Sequence, residues 1–425
     1  MEVHEFDRIH EKIYVHKHSS GLKAFVIPKK GYNKIFSTFA TNYGSINNAF
    51  VAPDEEKVTR VPDGIAHFLE HKLFEQEDGS IMDKFSRLGA DSNAYTSFTQ
   101  TVYLFSCTDR FNDNFRLLLD FVQNPYLTDE NVEKEKGIIS QEIKMYNDNA
   151  DWRVFFNLLN ALYVNHPVRT DIAGTVESIS EITKEELYKC YNTFYHPSNM
   201  IIVTVGDVKP ETVFEMVERG IKTKRNPGRI ERIFPEEPAH HNMKLIEKNL
   251  AVAMPQFNMG IKDNSRVSGY DLLKRKVALE IILIVLLGKS SVLYNQLYDE
   301  GLINQSFGSD VTLEGSFGYT LWGGQSKDPQ KVADRIIAAI EQVQKDGLDR
   351  KSFERIKKAH EGRFIASLNS PENISHEFIP LYFNGACFFD HSRVYEELTF
   401  DEVEEIFRDH FSAKPSLSII WPMKT

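Results

Sequence analysis

One order of elements occurs twice along these 425 residues, and no other feature narrows the possible folds as strongly. The strand-like run Leu22–Ile27 stops at Pro28, a second run, Lys34–Ala40, follows the Gly31 turn, and Asp63-Gly64 opens a helix. A further helix near Met82–Leu88 is broken by Gly89. Two runs rich in Thr, Tyr, Phe and Val, Ser92–Phe98 and Thr101–Cys107, then read as paired strands. A long helix follows, with Val132, Ile139, Ile143 and Tyr146 at helical spacing. The half closes with a helix start at Thr183-Lys184-Glu185-Glu186, a His196-Pro197-Ser198-Asn199 turn and the apolar strand Met200–Val205.

The second half repeats this plan. Gly301-Leu302 precedes two strands around Val311 and Tyr319, and Asp346–Phe353 turns into a long charged helix as Asn124–Asn131 does. Thr399–Val403 starts the last helix, and Leu417–Trp421 closes the chain as a strand. The expected class is therefore α+β: two structurally similar α/β domains, each a mixed, mainly antiparallel sheet with helices packed on it, related by internal duplication. Prolines 227, 235 and 238 in a mixed-charge stretch suit an exposed linker. The domains are accordingly placed at 1–223 and 243–425, with the linker at 224–242.

Composition excludes several alternatives. With 50 basic and 61 acidic residues the formal charge is −11, which disfavours nucleic acid as a partner because phosphate recognition needs clustered cations. Cys107, Cys190 and Cys387 are odd in number and far apart, so small buried thiols are expected rather than disulfides or a thiolate metal site. The longest apolar run, Ile281–Leu287, is far shorter than the roughly 20 residues of a spanning helix, and the first residues are polar and acidic. A cytoplasmic protein without a membrane partner is expected.

The chemistry concentrates in His67-Phe68-Leu69-Glu70-His71. Residues four apart on a helix lie one turn apart on one face, so both imidazoles can reach one ion, and Glu70 points to the same side. Ile65, Leu69 and Leu73 form an apolar stripe that would anchor the helix. Zinc suits imidazole and carboxylate donors and keeps a fourth position open in catalytic sites. The helix carrying Glu135, Gln141 and Glu142 supplies candidates for the third ligand. Glu135 and Glu142 are two turns apart, so one can bind the ion while the other holds a histidine. Zinc lowers the pKa of a water toward about 7, and Glu70 is placed to take its proton during attack on a carbonyl.

At these residues the chain resembles the inverted-motif zinc peptidases of the pitrilysin, insulinase and mitochondrial processing peptidase family, as a half-size subunit. The resemblance runs through Gly64–Phe74, Asn93-Ala94-Tyr95-Thr96, Glu135–Glu142 and Asn199–Asp207. It implies one zinc ion per chain on His67, His71 and Glu142, Glu70 as catalytic base and Glu135 as accessory acid. Glu142 lies 71 positions after His71, a few fewer than is usual, which implies a shortened loop. The resemblance also implies that Asn93, Ala94 and Tyr95 lie on an edge strand where a peptide substrate adds through main-chain hydrogen bonds inside a chamber enclosed by paired subunits.

Family members place an Arg and a Tyr in the second domain to clamp substrate. Here Tyr298 and Asn304 occupy those positions. The resemblance therefore implies an endopeptidase acting as the catalytic subunit of a heterodimer whose homologous partner supplies the clamp. A homodimeric peptidase and a non-catalytic scaffold subunit of the same fold are the alternatives.

Overall fold

The computed structural model describes all residues except Asp54, residues 223–227 and residues 424–425. The chain divides into two compact units, each built on one large sheet.

The first unit comprises Met1–Ile143, Asp171–Phe234 and Ser367–Phe383. Its seven-stranded sheet runs, in spatial order, Glu2–Phe6, Glu11–Lys17, Lys23–Pro28, Met200–Gly206, Ile35–Thr41, Thr101–Cys107 and Asp91–Thr96. Only Lys23–Pro28 against Met200–Gly206 is parallel, and the other ladders are antiparallel. Every residue of Met200–Gly206 is buried, as a continuous apolar run predicts for a central strand. Asp91–Thr96 is an edge strand, two residues shorter at its end than the expected Ser92–Phe98, because Ser97–Gln100 forms the turn, with the Ser97 N–H donating to the Gln100 carbonyl at 2.8 Å.

The second unit comprises Lys144–Thr170, Pro235–Ala366 and Asn384–Thr425. Its five-stranded sheet runs Leu245–Leu250, Ser416–Pro422, Gln256–Lys262, Gly318–Gln325, Gly308–Leu313, again with a single parallel pair, between the first and last strands in sequence. Once Glu2–Phe6 and Glu11–Lys17, which extend the first sheet at one edge, are set aside, both sheets run first strand, last, second, fourth, third. The internal duplication is thus present at the level of topology. It extends to helix caps: Thr183 with Glu186 and Thr399 with Glu402 form reciprocal capping boxes at the helix that leads into the last strand of each sheet, fixing its start.

The compact units differ from the contiguous halves expected from sequence. Helix Ala150–Leu162 packs on the second unit's sheet, where Val154 joins Leu250 and Ile420 in a small core. Helix Pro371–Phe383 packs on the first unit's sheet, with the Phe25 and Phe378 rings 5.0 Å apart and the Thr38 and Ser375 hydroxyls 3.1 Å apart. Each sheet needs an apolar cover on its second face, and chain order does not say which helix supplies it. The expected boundary at 223/224 falls on residues outside those described. Beyond it the segment is packed rather than a bare linker: Glu231–Arg232 pairs with Ala49–Val51, and Glu237 accepts the N–H groups of Val164, Asn165 and His166 and an ion pair from Lys262.

Cys107 and Cys190 are buried and Cys387 half-buried, all as free thiols. No single helix among the described residues is long and apolar enough to cross a membrane. Gly269–Leu287 and Val292–Asp299 reach that length and composition only as a pair bent by 45°.

Candidate metal centre

The motif helix, Ile65–Leu73, is enclosed. Eight of its nine residues are buried, and only His71 is half-exposed, so burial extends round the helix beyond the apolar stripe of Ile65, Leu69 and Leu73 to the polar His67, Glu70 and Lys72. Its start is fixed by a backbone contact that only glycine permits. Gly64 caps the helix at φ 90°, and a Cβ there would lie 2.4 Å from the Ala173 carbonyl oxygen; Gly174, at φ 75°, faces Asp63 just as closely. The Ser178 hydroxyl donates to the Asp63 carbonyl at 2.8 Å and closes this junction.

From this anchored helix His67 and His71 project together, with ring centroids 4.6 Å apart. Helix Asp129–Asp148, with Val132, Ile139 and Ile143 buried, brings two carboxylates to them. Glu142 Oε1 lies 3.7 Å from His67 Nε2, and its Oε2 lies 3.5 Å from His71 Nε2. These separations are long for hydrogen bonds, but they suit donors of one ion: two atoms each about 2.0–2.1 Å from zinc at a tetrahedral angle lie roughly 3.3 Å apart. One donor atom from each of the three residues falls within 4.8 Å of the others, and among the described residues no second group of this kind occurs. The donor set therefore fits zinc, and three donors leave one position of a tetrahedral shell for a fourth ligand.

Glu135 does not join this group. Its Oε1 lies 3.1 Å from His71 Nδ1, the position of an acceptor that orients a metal-binding histidine. Of the two arrangements open on spacing alone, the geometry thus places Glu142 among the donors and Glu135 behind them. His67 Nδ1, by contrast, is buried without a hydrogen-bond partner among the described residues, so packing rather than polar contact fixes that ring.

Burial, with a smaller contribution from His71, lowers the His67 pKa to about 3 and keeps its imidazole neutral, the form a metal requires. Burial, aided by the Glu142 charge, raises that of Glu70 against an opposing hydrogen bond from Thr96. For His71 burial acts downward, but the Glu135 hydrogen bond and the neighbouring carboxylates more than offset it, and the net direction is upward. Glu135 shows the complementary shift: burial acts upward, but His71 and Lys72 bring the net direction downward.

Glu70 is 9% exposed and is held from the edge strand, where the Thr96 hydroxyl donates to its Oε2 at 2.6 Å. Sequence reasoning assigned Thr96 no role. Its place directly after Asn93-Ala94-Tyr95 was the only available signal. On that strand the Asn93 amide oxygen accepts the Ala94 N–H at 2.9 Å, while the Tyr95 hydroxyl meets His376 Nδ1 at 3.1 Å on helix Pro371–Phe383. The Tyr95 side chain is thus committed within the unit. His166 is buried and its Nδ1 accepts the Val168 N–H at 3.1 Å.

Known proteins resemble this chain over nearly its full length. A family model described as Insulinase (Peptidase family M16) matches residues 59–176, and one described as Peptidase M16 inactive domain matches residues 181–359. The chain is 43% identical to the "Uncharacterized zinc protease YmfH" of Bacillus subtilis (strain 168), over 96% of each chain. It is 23% identical to the "Zinc protease PqqE" of Helicobacter pylori, over 97% of this chain and 94% of that one. Among solved structures, a putative M16-like peptidase from Alicyclobacillus acidocaldarius superposes with TM-score 0.94 at 38% identity, over 97% of this chain and 99% of the other. A protease from Helicobacter pylori shares the fold with TM-score 0.81 at 21% identity, over 97% of this chain and all of that one.

Proposed function

Because the chain belongs to the insulinase family, peptidase family M16, we propose that it is a zinc-dependent endopeptidase that holds its metal through His67, His71 and Glu142. The observation that carries this reading is the convergence of those three donors beside Glu70, a buried carboxylate whose second oxygen is fixed by Thr96. Glu135 orients His71 from behind.

Zinc, when bound, supplies Lewis-acid polarisation and brings a water within reach of deprotonation near neutral pH. Glu70 takes a proton from the attacking water and returns it to the departing amine. Its position inside an enclosed helix makes it a stronger base than an exposed carboxylate would be. Asp91–Thr96, an edge strand that ends at the residue bonded to Glu70, offers main-chain groups to which an extended peptide can add, placing a scissile carbonyl beside the base. That arrangement favours unfolded segments over folded ones as substrates.

The proposed working form is a heterodimer with a homologous subunit that supplies an Arg/Tyr clamp, or a homodimer. What supports a clamp from a partner is that Tyr298, the penultimate residue of helix Val292–Asp299, stands where an Arg is expected and that the Asn304 amide is engaged locally by Gln325 and Ser306.

The test is cleavage of short unstructured peptides by the purified chain and by Glu70→Gln. The variant is expected to retain about one zinc per chain and to lose roughly 10²–10⁴-fold in kcat. Turnover that survives the substitution, or a wild-type chain that binds no zinc, would refute the proposal. High activity of the chain alone would remove the case for a heterodimer.

A further inference from the structure

Lys72 has no exposed surface, an unusual state for a lysine unless it is paired. It follows His71 directly on the motif helix, and its ammonium has three neighbours. It forms a short ion pair with Glu75, donates to the Asn131 carbonyl at 3.2 Å, and meets Glu135 Oε2 at 3.5 Å, an ion-pair contact longer than a strong hydrogen bond. The opposite oxygen of Glu135 is the one bonded to His71 Nδ1. Asn131 is itself fixed: its amide donates to the Tyr126 carbonyl at 3.0 Å and accepts the Thr128 N–H at 2.9 Å. Lys72 therefore joins the motif helix to the start of the carboxylate helix and occupies the second face of the Glu135 carboxylate.

We propose that Lys72 is a positioning residue for the metal centre, acting through Glu135 on His71. A carboxylate only accepts hydrogen bonds, so Glu135 fixes the proton of His71 on Nδ1 and leaves the Nε2 lone pair facing Glu142. With one oxygen of Glu135 on His71 and the other on Lys72, rotation of the carboxylate breaks a contact on either side. His71 is the half-exposed histidine of the pair, so it needs an orienting partner more than enclosed His67 does. Charge balance points the same way. Glu70 and Glu135, both buried, and half-buried Glu142 bring three negative charges to one cluster, and a divalent ion would offset two of them. Lys72 offsets the third without occupying a coordination position. Glu75 is 38% exposed in its side chain, so water screens its charge.

This inference rests on the proposed zinc site, and its test separates the two. Zinc affinity is measured by chelator competition for the wild type, Lys72→Met, Glu135→Gln and the double variant, together with kcat and KM on an unstructured peptide. Each single substitution is expected to weaken zinc binding about 10–100-fold. The double variant is expected to bind no more weakly than Glu135→Gln alone, because Lys72 acts through Glu135. In Lys72→Met the loss of activity should fall on kcat with KM near the wild-type value. Should Lys72→Met not fold, Lys72→Gln, which retains hydrogen-bond donors, is judged by the same criteria. A folded Lys72 variant with wild-type zinc affinity, or a double variant whose losses multiply, would show the lysine to be structural only and overturn the inference. A wild type that binds no zinc would instead overturn the functional reading beneath it.

Discussion

The contact between Thr96 and Glu70 matters because of what it leaves free. One carboxylate oxygen is occupied at 2.6 Å, so the other is the oxygen available to a water. A hydrogen bond to a charged group contributes about 1.5–3 kcal/mol. Thr96→Val, nearly the same in shape, is therefore expected to lower kcat roughly 10–100-fold while zinc content stays at the wild-type level, which steady-state kinetics with metal analysis can check. Residues of this kind are where sequence reading reached its limit. Helical spacing puts His67, Glu70 and His71 on one face and Glu135 and Glu142 two turns apart on one helix, but it was the family resemblance, not spacing alone, that singled them out as a zinc site. Spacing left the division of labour between those two carboxylates open, and the distances to His71 separate them. The roles of Thr96 and Lys72 come from partners 26 and 63 residues away, a separation to which local periodicity is blind.

Among the elements, the two glycines at the motif helix and the one inside the carboxylate helix have opposite consequences. At Gly64 an added methyl group would meet the Ala173 carbonyl at 2.4 Å, and the backbone is left-handed. Gly64→Ala should cost at least about 1–2 kcal/mol and displace the helix that carries both histidines. Gly137 sits on an exposed turn of Asp129–Asp148 with nothing within 4 Å of a Cβ, so Gly137→Ala should stabilise by about 0.5–1 kcal/mol without altering metal binding. Urea denaturation of the two variants reads both outcomes. The strands Lys23–Pro28, Ile35–Thr41, Thr101–Cys107 and Met200–Gly206 and the capped helix starts were legible for local reasons, since β-branched and aromatic runs and Thr-x-x-Glu boxes are written in the chain. The more polar Glu2–Phe6, Glu11–Lys17 and Leu245–Leu250, and Gln256–Lys262, were not read as strands. The exchange of Ala150–Leu162 and Pro371–Phe383 between the units was not legible either. Both helices are apolar enough to cover a sheet, and their own residues do not specify which sheet.

At the scale of the whole molecule, each unit carries one repeat of the duplicated topology, and the metal-binding group belongs to the first unit alone among the described residues. The second unit concentrates polar groups differently. Asp263 is buried, and its Oδ2 accepts from Arg275 at 2.8 and 3.0 Å and pairs with His410 Nδ1 at 2.9 Å. Burial acts to raise the Asp263 pKa, but His410, Arg275 and Ser265 more than offset it, and the carboxyl is held well below its ordinary value. A carboxylate depressed in the folded state stabilises above its unfolded pKa, about 3.9, and that stability is lost as pH falls through the lower folded value. Thermal unfolding scans from pH 7 to pH 2 should therefore show stability falling below about pH 4. Asp263→Asn should be less stable at pH 7, by about 3 kcal/mol, and should lose less on acidification. A slope below pH 4 unchanged by the substitution would assign the acid sensitivity elsewhere.

The most direct measurement is zinc K-edge X-ray absorption on the zinc-loaded protein, beside His67→Ala. The predicted result is a first shell of two imidazole nitrogens and carboxylate or water oxygen at about 2.0–2.1 Å, with one imidazole lost in the variant. A shell with fewer than two imidazoles, or one that His67→Ala leaves unchanged, would contradict a metal centre built on His67, His71 and Glu142.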